Sequence, residues 1–226
     1  MRVLLLMDPF IAVPPDTYGG IERVVAGLAD GLHARGHDVT LWAAPGSSTK
    51  AALRTFGRPG EWTGWSTLRN VATLTSWFML EARGFDVVHN FGRLAYLASI
   101  LRRDLPKVQT YMRTINPRNV RIAARAGAVR LHFTAVSDAI RQTGSAGGGE
   151  WNVIYNCARP ASYEARYEVD SSTAPLLFLG RLERCKGAHT AIAVARRLNR
   201  PLTIAGNVST LPHEREYFAR EIAPQV

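Results

Sequence analysis

Two short stretches carry the residues best suited to handling a phosphate. In "YGGIERVV", Gly19 and Gly20 stand directly ahead of a segment with helical apolar period. In "LLFLGRLERCKGAHTAIAVA", an apolar run delivers Gly180 and Arg181, and Lys186 with Gly187 precedes a second helical segment. Glycine lets a backbone approach an anion with no Cβ in the way, and a helix N-terminus offers unpaired N–H groups and the positive end of its dipole. A loop that simply needs positive φ explains Gly19 and Gly20 equally well at this level. For Arg181 and Lys186, a place beside both a strand end and a helix start suits a diphosphate, against the plainer reading of a solvated basic loop.

These stretches must be held by regular elements, and the apolar patterns supply them. Candidate strands run 2–7, 38–43, 86–89, 107–111, 131–136 and 152–155, alternating with candidate helices at 21–34, 66–83, 94–103, 118–126 and 138–143. Such alternation predicts an α/β fold with a doubly wound, mostly parallel, Rossmann-like sheet covered by helices on both faces. Ile21, Val24, Val25, Leu28 and Leu32 form the helical stripe of the first crossover, and Gly36 stands where that helix would end. The long loop from Asp8 to Tyr18 and the pattern G-G-I-E match neither the dinucleotide fingerprint nor a Walker A loop.

After the polar stretch "SYEARYEVDSSTAP" a second strand and helix alternation begins, with strands at 175–179 and 202–205 and helices at 188–198 and 213–222. The expected division is an N-terminal Rossmann-like domain over 1–161, a linker over 162–174 and an incomplete C-terminal Rossmann-like domain over 175–226. That second part is short against a usual domain of roughly 100 to 150 residues.

Composition narrows the class less. The chain of 226 residues carries a formal net charge of +10, nearly all from arginine, since its lysines are Lys50, Lys107 and Lys186. This favours anionic partners without choosing among them, and no nucleic-acid-binding motif raises that option. The apolar run 3–7 is too short for a signal peptide core or a membrane span, so a cytoplasmic location is expected. Cys157 and Cys185 have no metal or redox spacing, and no metal site is expected.

Taken together, "YGGIERVVAGLADGLHARGHDVTLWA", "FDVVHN", "FTAVSDAIRQ", "NVIYN" and "FLGRLERCKGAHTAIAVA" resemble, in that order, the family 4 retaining glycosyltransferases of the GT-B fold. The resemblance implies two Rossmann-like domains, the N-terminal one for the acceptor and the C-terminal one for a nucleotide-diphosphate sugar. It implies that Gly19 and Gly20 approach the donor phosphate and that Arg181 and Lys186 clamp the diphosphate. It also implies front-face transfer with retention of configuration, without paired carboxylates or a metal cofactor. His89, at the end of "FDVVHN", and Glu22, one turn after the glycines, are the catalytic candidates: His89 to contact sugar or acceptor, Glu22 to orient a loop or acceptor. Packing of His89, and capping or simple solvation of Glu22, are the alternatives.

The chain departs from many relatives at Phe91, where some carry a second histidine, at Asn156-Cys157 and at "QTYMRTINPRN". Arg118, Arg121 and Arg125 fall on one helical face, which leaves contact with anionic lipid at the inner membrane face, or with a phosphorylated acceptor, beside simple solvation. Trp62, Trp65, Trp77 and Phe78 raise the same membrane question, with packing as the alternative. Relatives continue into a glutamate-bearing segment that holds the donor ribose and sugar. The expectation is therefore a transferase weakly active as this chain alone, a homo-oligomer or complementary subunit completing it, with a non-catalytic nucleotide- or partner-binding half as the competitor.

Overall fold

The computed structural model describes residues 1–157, 164 and 167–226. The chain divides into two compact units, Met1–Pro160 and Ala161–Val226. The boundary expected at 161 lies outside the described residues.

The first unit is built on seven parallel strands: β1 (Arg2–Leu6), β2 (Asp38–Ala43), β3 (Ala52–Thr55), β4 (Val87–Asn90), β5 (Lys107–Tyr111), β6 (Leu131–Ala135) and β7 (Glu150–Val153). Their order across the sheet is β3-β2-β1-β4-β5-β6-β7, every neighbouring pair parallel. This is the doubly wound α/β architecture that the alternation predicts. Period-2 alternation along β1 shows why both faces need cover. Val3, Leu5 and Met7 pack with Val25 and Ala29 of α1 (Gly20–Ala34), whereas Leu4 and Leu6 pack with Leu74 and Phe78 of α2 (Gly64–Glu81).

Details differ from the sequence expectation: the strand expected at 152–155 lies at Glu150–Val153, and the helix expected at 213–222 is an α-helix over Pro212–Tyr217 that continues as a π-helical turn over Phe218–Ile222. Strand β3 has no apolar run to announce it, because it is an edge strand whose residues are largely exposed. The segment Leu94–Ile100, expected as an α-helix, is a run of 3-10 turns with Tyr96, Leu97 and Ile100 buried. Its backbone closes i to i+3, as in Tyr96 N–H to Arg93 O at 3.0 Å. Beyond it, the buried Lys107 ammonium donates to Arg103 O at 2.8 Å and Leu105 O at 2.6 Å, fixing the entry into β5.

Helix starts fall into two kinds. Thr63, Asn116 and Ser137 cap α2, α3 (Pro117–Arg125) and α4 (Asp138–Ser145) through their side chains. Helix α1 instead begins at Gly19 with no side-chain cap.

The second unit pairs β8 (Leu176–Leu179) in parallel with β9 (Leu202–Ala205). Helix α5 (Ala188–Arg197) crosses between them, and α6 (Pro212–Tyr217) follows β9. Phe178, Leu202 and Ile204 pack against Ala188, Ile192, Tyr217 and Ile222. Helix α5 also begins at a glycine, Gly187, at φ 77°, again with no side-chain cap.

Candidate functional site

In a parallel sheet of this order the direction of winding reverses between β1 and β4, and ligands bind outside the carboxyl ends of the strands there. The structure has a cleft of about 110 Å³ at that place, lined by Asp8 after β1, Phe91 after β4, Thr110 to Thr114 at the end of β5, Glu22 of α1, and Trp62.

Gly19 and Gly20, which precede the cleft-lining Ile21 and Glu22, differ in the space around them. A Cβ at Gly19 would lie 2.7 Å from Glu22 Oε2 and 2.7 Å from Pro15 Cγ, so the bare backbone is required by its own neighbours. A Cβ at Gly20 would meet nothing within 4 Å, and Gly20 is exposed. Of the two, Gly20 keeps open space beside the uncapped start of α1.

Glu22 is 3% exposed, and it lines the cleft. Burial raises its carboxyl above the ordinary range, and nearby Asp8 pushes the same way. Its own backbone N–H and the Arg113 guanidinium oppose the rise. A carboxyl at this place can accept a hydrogen bond from a ligand hydroxyl.

His89 stands one layer behind the cleft. Its Nε2 is 2.7 Å from Thr110 Oγ1, which is in turn 2.5 Å from Thr134 Oγ1, a hydrogen-bonded string across β4, β5 and β6. The imidazole stacks on Phe91 with centroids 4.1 Å apart. Burial pushes its pKa down to about 4, so the ring is neutral at pH 7. Thr110, not His89, reaches the cleft lining, and His89 positions it.

The loop after β4 is pinned by polar groups that the sequence does not single out. Asn90 Nδ2 donates to Arg93 O at 3.0 Å, and Gln109 Nε2 donates to Gly92 O at 3.0 Å. Arg93 pairs with Asp8 at 2.9 Å. In the sequence, Phe91 and the stretch holding Thr110, Tyr111 and Arg113 stand out only as departures from relatives, and Trp62 only as a packing or membrane question; that they line one cleft follows from strand order added to strand ends.

In the second unit, Gly180 and Arg181 follow β8 directly. A Cβ at Gly206, after β9, would lie 1.7 Å from Gly180 O, so the two loops touch backbone to backbone. Arg181 pairs with Glu183 at 2.8 Å, and Glu183 is buried and also accepts from Ser209 Oγ at 3.1 Å. Lys186 is exposed, one residue before the uncapped N-terminus of α5. Arg184, which the sequence also places there, is turned away to Glu221 and lies over the Tyr217 ring.

Among the described residues, no group of three or more His, Cys, Asp or Glu could hold a metal ion, and no helix is long and apolar enough to cross a membrane.

Comparison with known proteins identifies the lineage. The chain is 27% identical to the glycogen synthase of Mycobacterium tuberculosis over 259 aligned positions, covering 91% of this chain and 61% of that protein. A solved glycosyltransferase involved in avilamycin A biosynthesis is 30% identical, with TM-score 0.63, over 100% of this chain and 62% of its own. A glycosyltransferase from Rickettsia africae superposes with TM-score 0.64 at 17% identity, over 99% of this chain and 65% of its own, which speaks to fold alone. The chain thus spans a little over three fifths of the relatives it matches. Residues 18–161 match the profile of Glycosyltransferase Family 4, a stretch that takes in the cleft-lining residues from Ile21 to Thr114. The chain belongs to glycosyltransferase family 4.

Proposed function

We propose that this chain acts in the transfer of a sugar from a nucleotide-diphosphate sugar to an acceptor hydroxyl, with retention at the anomeric carbon. The observation that carries the reading is the pair of uncapped, glycine-started helices. Helices α1 and α5 begin at glycines with no side-chain cap, beside the residues expected from the sequence to handle phosphate, whereas α2, α3 and α4 are capped by side chains and the short α6, also without a side-chain cap, begins at Leu211.

In this reading Arg181, Lys186 and the start of α5 take the donor diphosphate, and Gly20 offers an open backbone approach at the start of α1. As the anomeric C–O bond breaks, its electron pair leaves on the diphosphate oxygen, and fixed cations and helix N–H groups lower the cost of that charge. The acceptor oxygen forms the new bond to the anomeric carbon and passes its proton to the departing phosphate. Glu22 orients the acceptor hydroxyl, and Thr110, set by His89, lines its path. No metal ion is assigned a role. A cytoplasmic location, weak activity of this chain by itself, and a second subunit or copy that raises it complete the proposal.

The test is calorimetric titration with a panel of nucleotide sugars, followed by transfer assays with the donor that binds. Binding of one donor, weakened at least tenfold in Lys186→Ala, is the expected result. No heat from any donor with a folded chain would overturn the reading.

A further inference from the structure

Helix α2 is apolar on both of its faces, and only one of them is covered. Leu74 and Phe78 face the sheet and are fully buried. On the opposite face Trp65, Leu68, Met79 and Leu80 recur at helical spacing, 82%, 60%, 70% and 80% exposed. Of the aromatic residues that raise a membrane question in the sequence, Phe78 and Trp77 pack into the core and Trp62 stacks on Phe10, whereas Trp65 stands clear. A helix that is apolar all round is ordinarily covered all round, and a row of large apolar side chains left in water marks an interaction surface.

Helix α3 lies on the same side of the sheet, since its Val120 shares a core with Leu94 and Leu131, which also pack against the α2 cluster. Its outward face carries Arg118, Arg121, Ile122 and Arg125, at i, i+3, i+4 and i+7, all exposed. Two consecutive arginines link the ends of the helices: Arg103 donates to Phe78 O at 3.4 Å and Arg102 to Ala126 O at 2.7 Å. Helix α3 contains no acid, and its outward arginines make no ion pair among the described residues. Glu61 and Glu81, at the two ends of α2, are already held by Arg58 and Arg69 and by Arg54.

We propose that this side of the first unit docks on an anionic lipid bilayer, with the α2 row entering the boundary between headgroups and acyl chains and the α3 arginines on the lipid phosphates. Charge and shape choose this occupant. A second copy could cover the α2 row, but its own copy of this side brings only further cations to the α3 arginines. A nucleic acid would satisfy the arginines and leave the leucines and the methionine wet. A protein groove takes the apolar face of one helix, whereas two helix backs side by side suit a flat surface that offers anions and hydrocarbon together. The contact is peripheral, because no helix among the described residues is long and apolar enough to cross a membrane. This docking goes beyond the transferase reading and does not depend on it.

The experiment sediments the full chain with phosphatidylcholine vesicles, made with and without phosphatidylglycerol. Binding to the mixed vesicles is expected, weak binding to phosphatidylcholine alone, and a fall in both as salt is raised. Arg118→Gln with Arg125→Gln, and separately Leu68→Gln with Leu80→Gln, are each expected to weaken binding to mixed vesicles roughly tenfold or more. All four positions are exposed, and circular dichroism checks that the variants fold. Bound protein is expected to show a blue-shifted tryptophan emission that is largely absent in Trp65→Phe. Equal binding to both kinds of vesicle, or indifference to either pair of substitutions, would overturn the proposal. No binding to mixed vesicles would overturn it too and leave a protein as the occupant. So would a lipid-free dimer that the leucine pair abolishes, or tighter binding to a single-stranded oligonucleotide than to the mixed vesicles. The donor titration is run without lipid, so its failure and the failure of this proposal are read separately.

Discussion

The carboxylate of Glu22 fills the space that a side chain at Gly19 would need, with Oε2 2.7 Å from where that Cβ would stand. The glycine and the acid are therefore one packed unit at the head of α1, and Gly20 beside them is the free one.

This predicts unequal responses to the same substitution. Gly19→Ala must displace Glu22 or Pro15 and is expected to cost about 1–3 kcal/mol, the usual range for overpacking. Gly20→Ala, in a helical position with open space, is expected to stay within about 1 kcal/mol of wild type or gain slightly. Urea denaturation midpoints compare the two, and equal losses would show that the packing around Gly19 is not as described.

The half-buried imidazole predicts a pH dependence. With His89 held near pKa 4 against an ordinary 6.5, the unfolded chain takes up a proton between those values that the folded chain refuses. Its contribution is present above pH 6.5 and is lost as pH falls toward 4, by at most about 1.4 kcal/mol per pH unit. His89→Gln, which can still bond Thr110, is expected to lose less stability over that window. Thermal melts of both proteins at pH 7, 6 and 5 measure the difference.

Arg181 and Lys186 should separate structure from binding. Removing Arg181 strips the buried Glu183 of a charged partner, so Arg181→Ala is expected to cost roughly 2–3 kcal/mol, below the range for a fully buried pair because Arg181 keeps a third of its side chain exposed. Lys186→Ala, at an exposed position with no ion pair among the described residues, is expected to leave stability within about 0.5 kcal/mol. Chemical denaturation of each variant decides this, and it makes Lys186 the cleaner probe of donor binding.

The sequence by itself determined the architecture of the first unit. Strand 2–7 is apolar on both faces, as a parallel sheet covered on both sides requires, and the stripe from Ile21 to Leu32 has to lie against an apolar face. It also placed Gly19, Gly20, Arg181 and Lys186 beside strand ends and helix starts, because chain order alone sets those neighbours. It did not announce β3, whose edge position demands little apolar surface, or the 3-10 turns at Leu94–Ile100, where burial of Tyr96, Leu97 and Ile100 under α2 overrode an apparent helical period.

Only the tertiary structure decided how those residues divide their work. Pro15 and Glu22 close on Gly19 and not on Gly20, Glu183 engages Arg181 while Lys186 stays exposed, and His89 acts through Thr110. It also gathered Trp62, Phe91, Thr110 and Arg113 around Glu22. The reason is physical: these neighbours come from separate strand ends and loops, and nothing in their spacing along the chain records that the sheet brings the carboxyl ends of β1, β4 and β5 side by side.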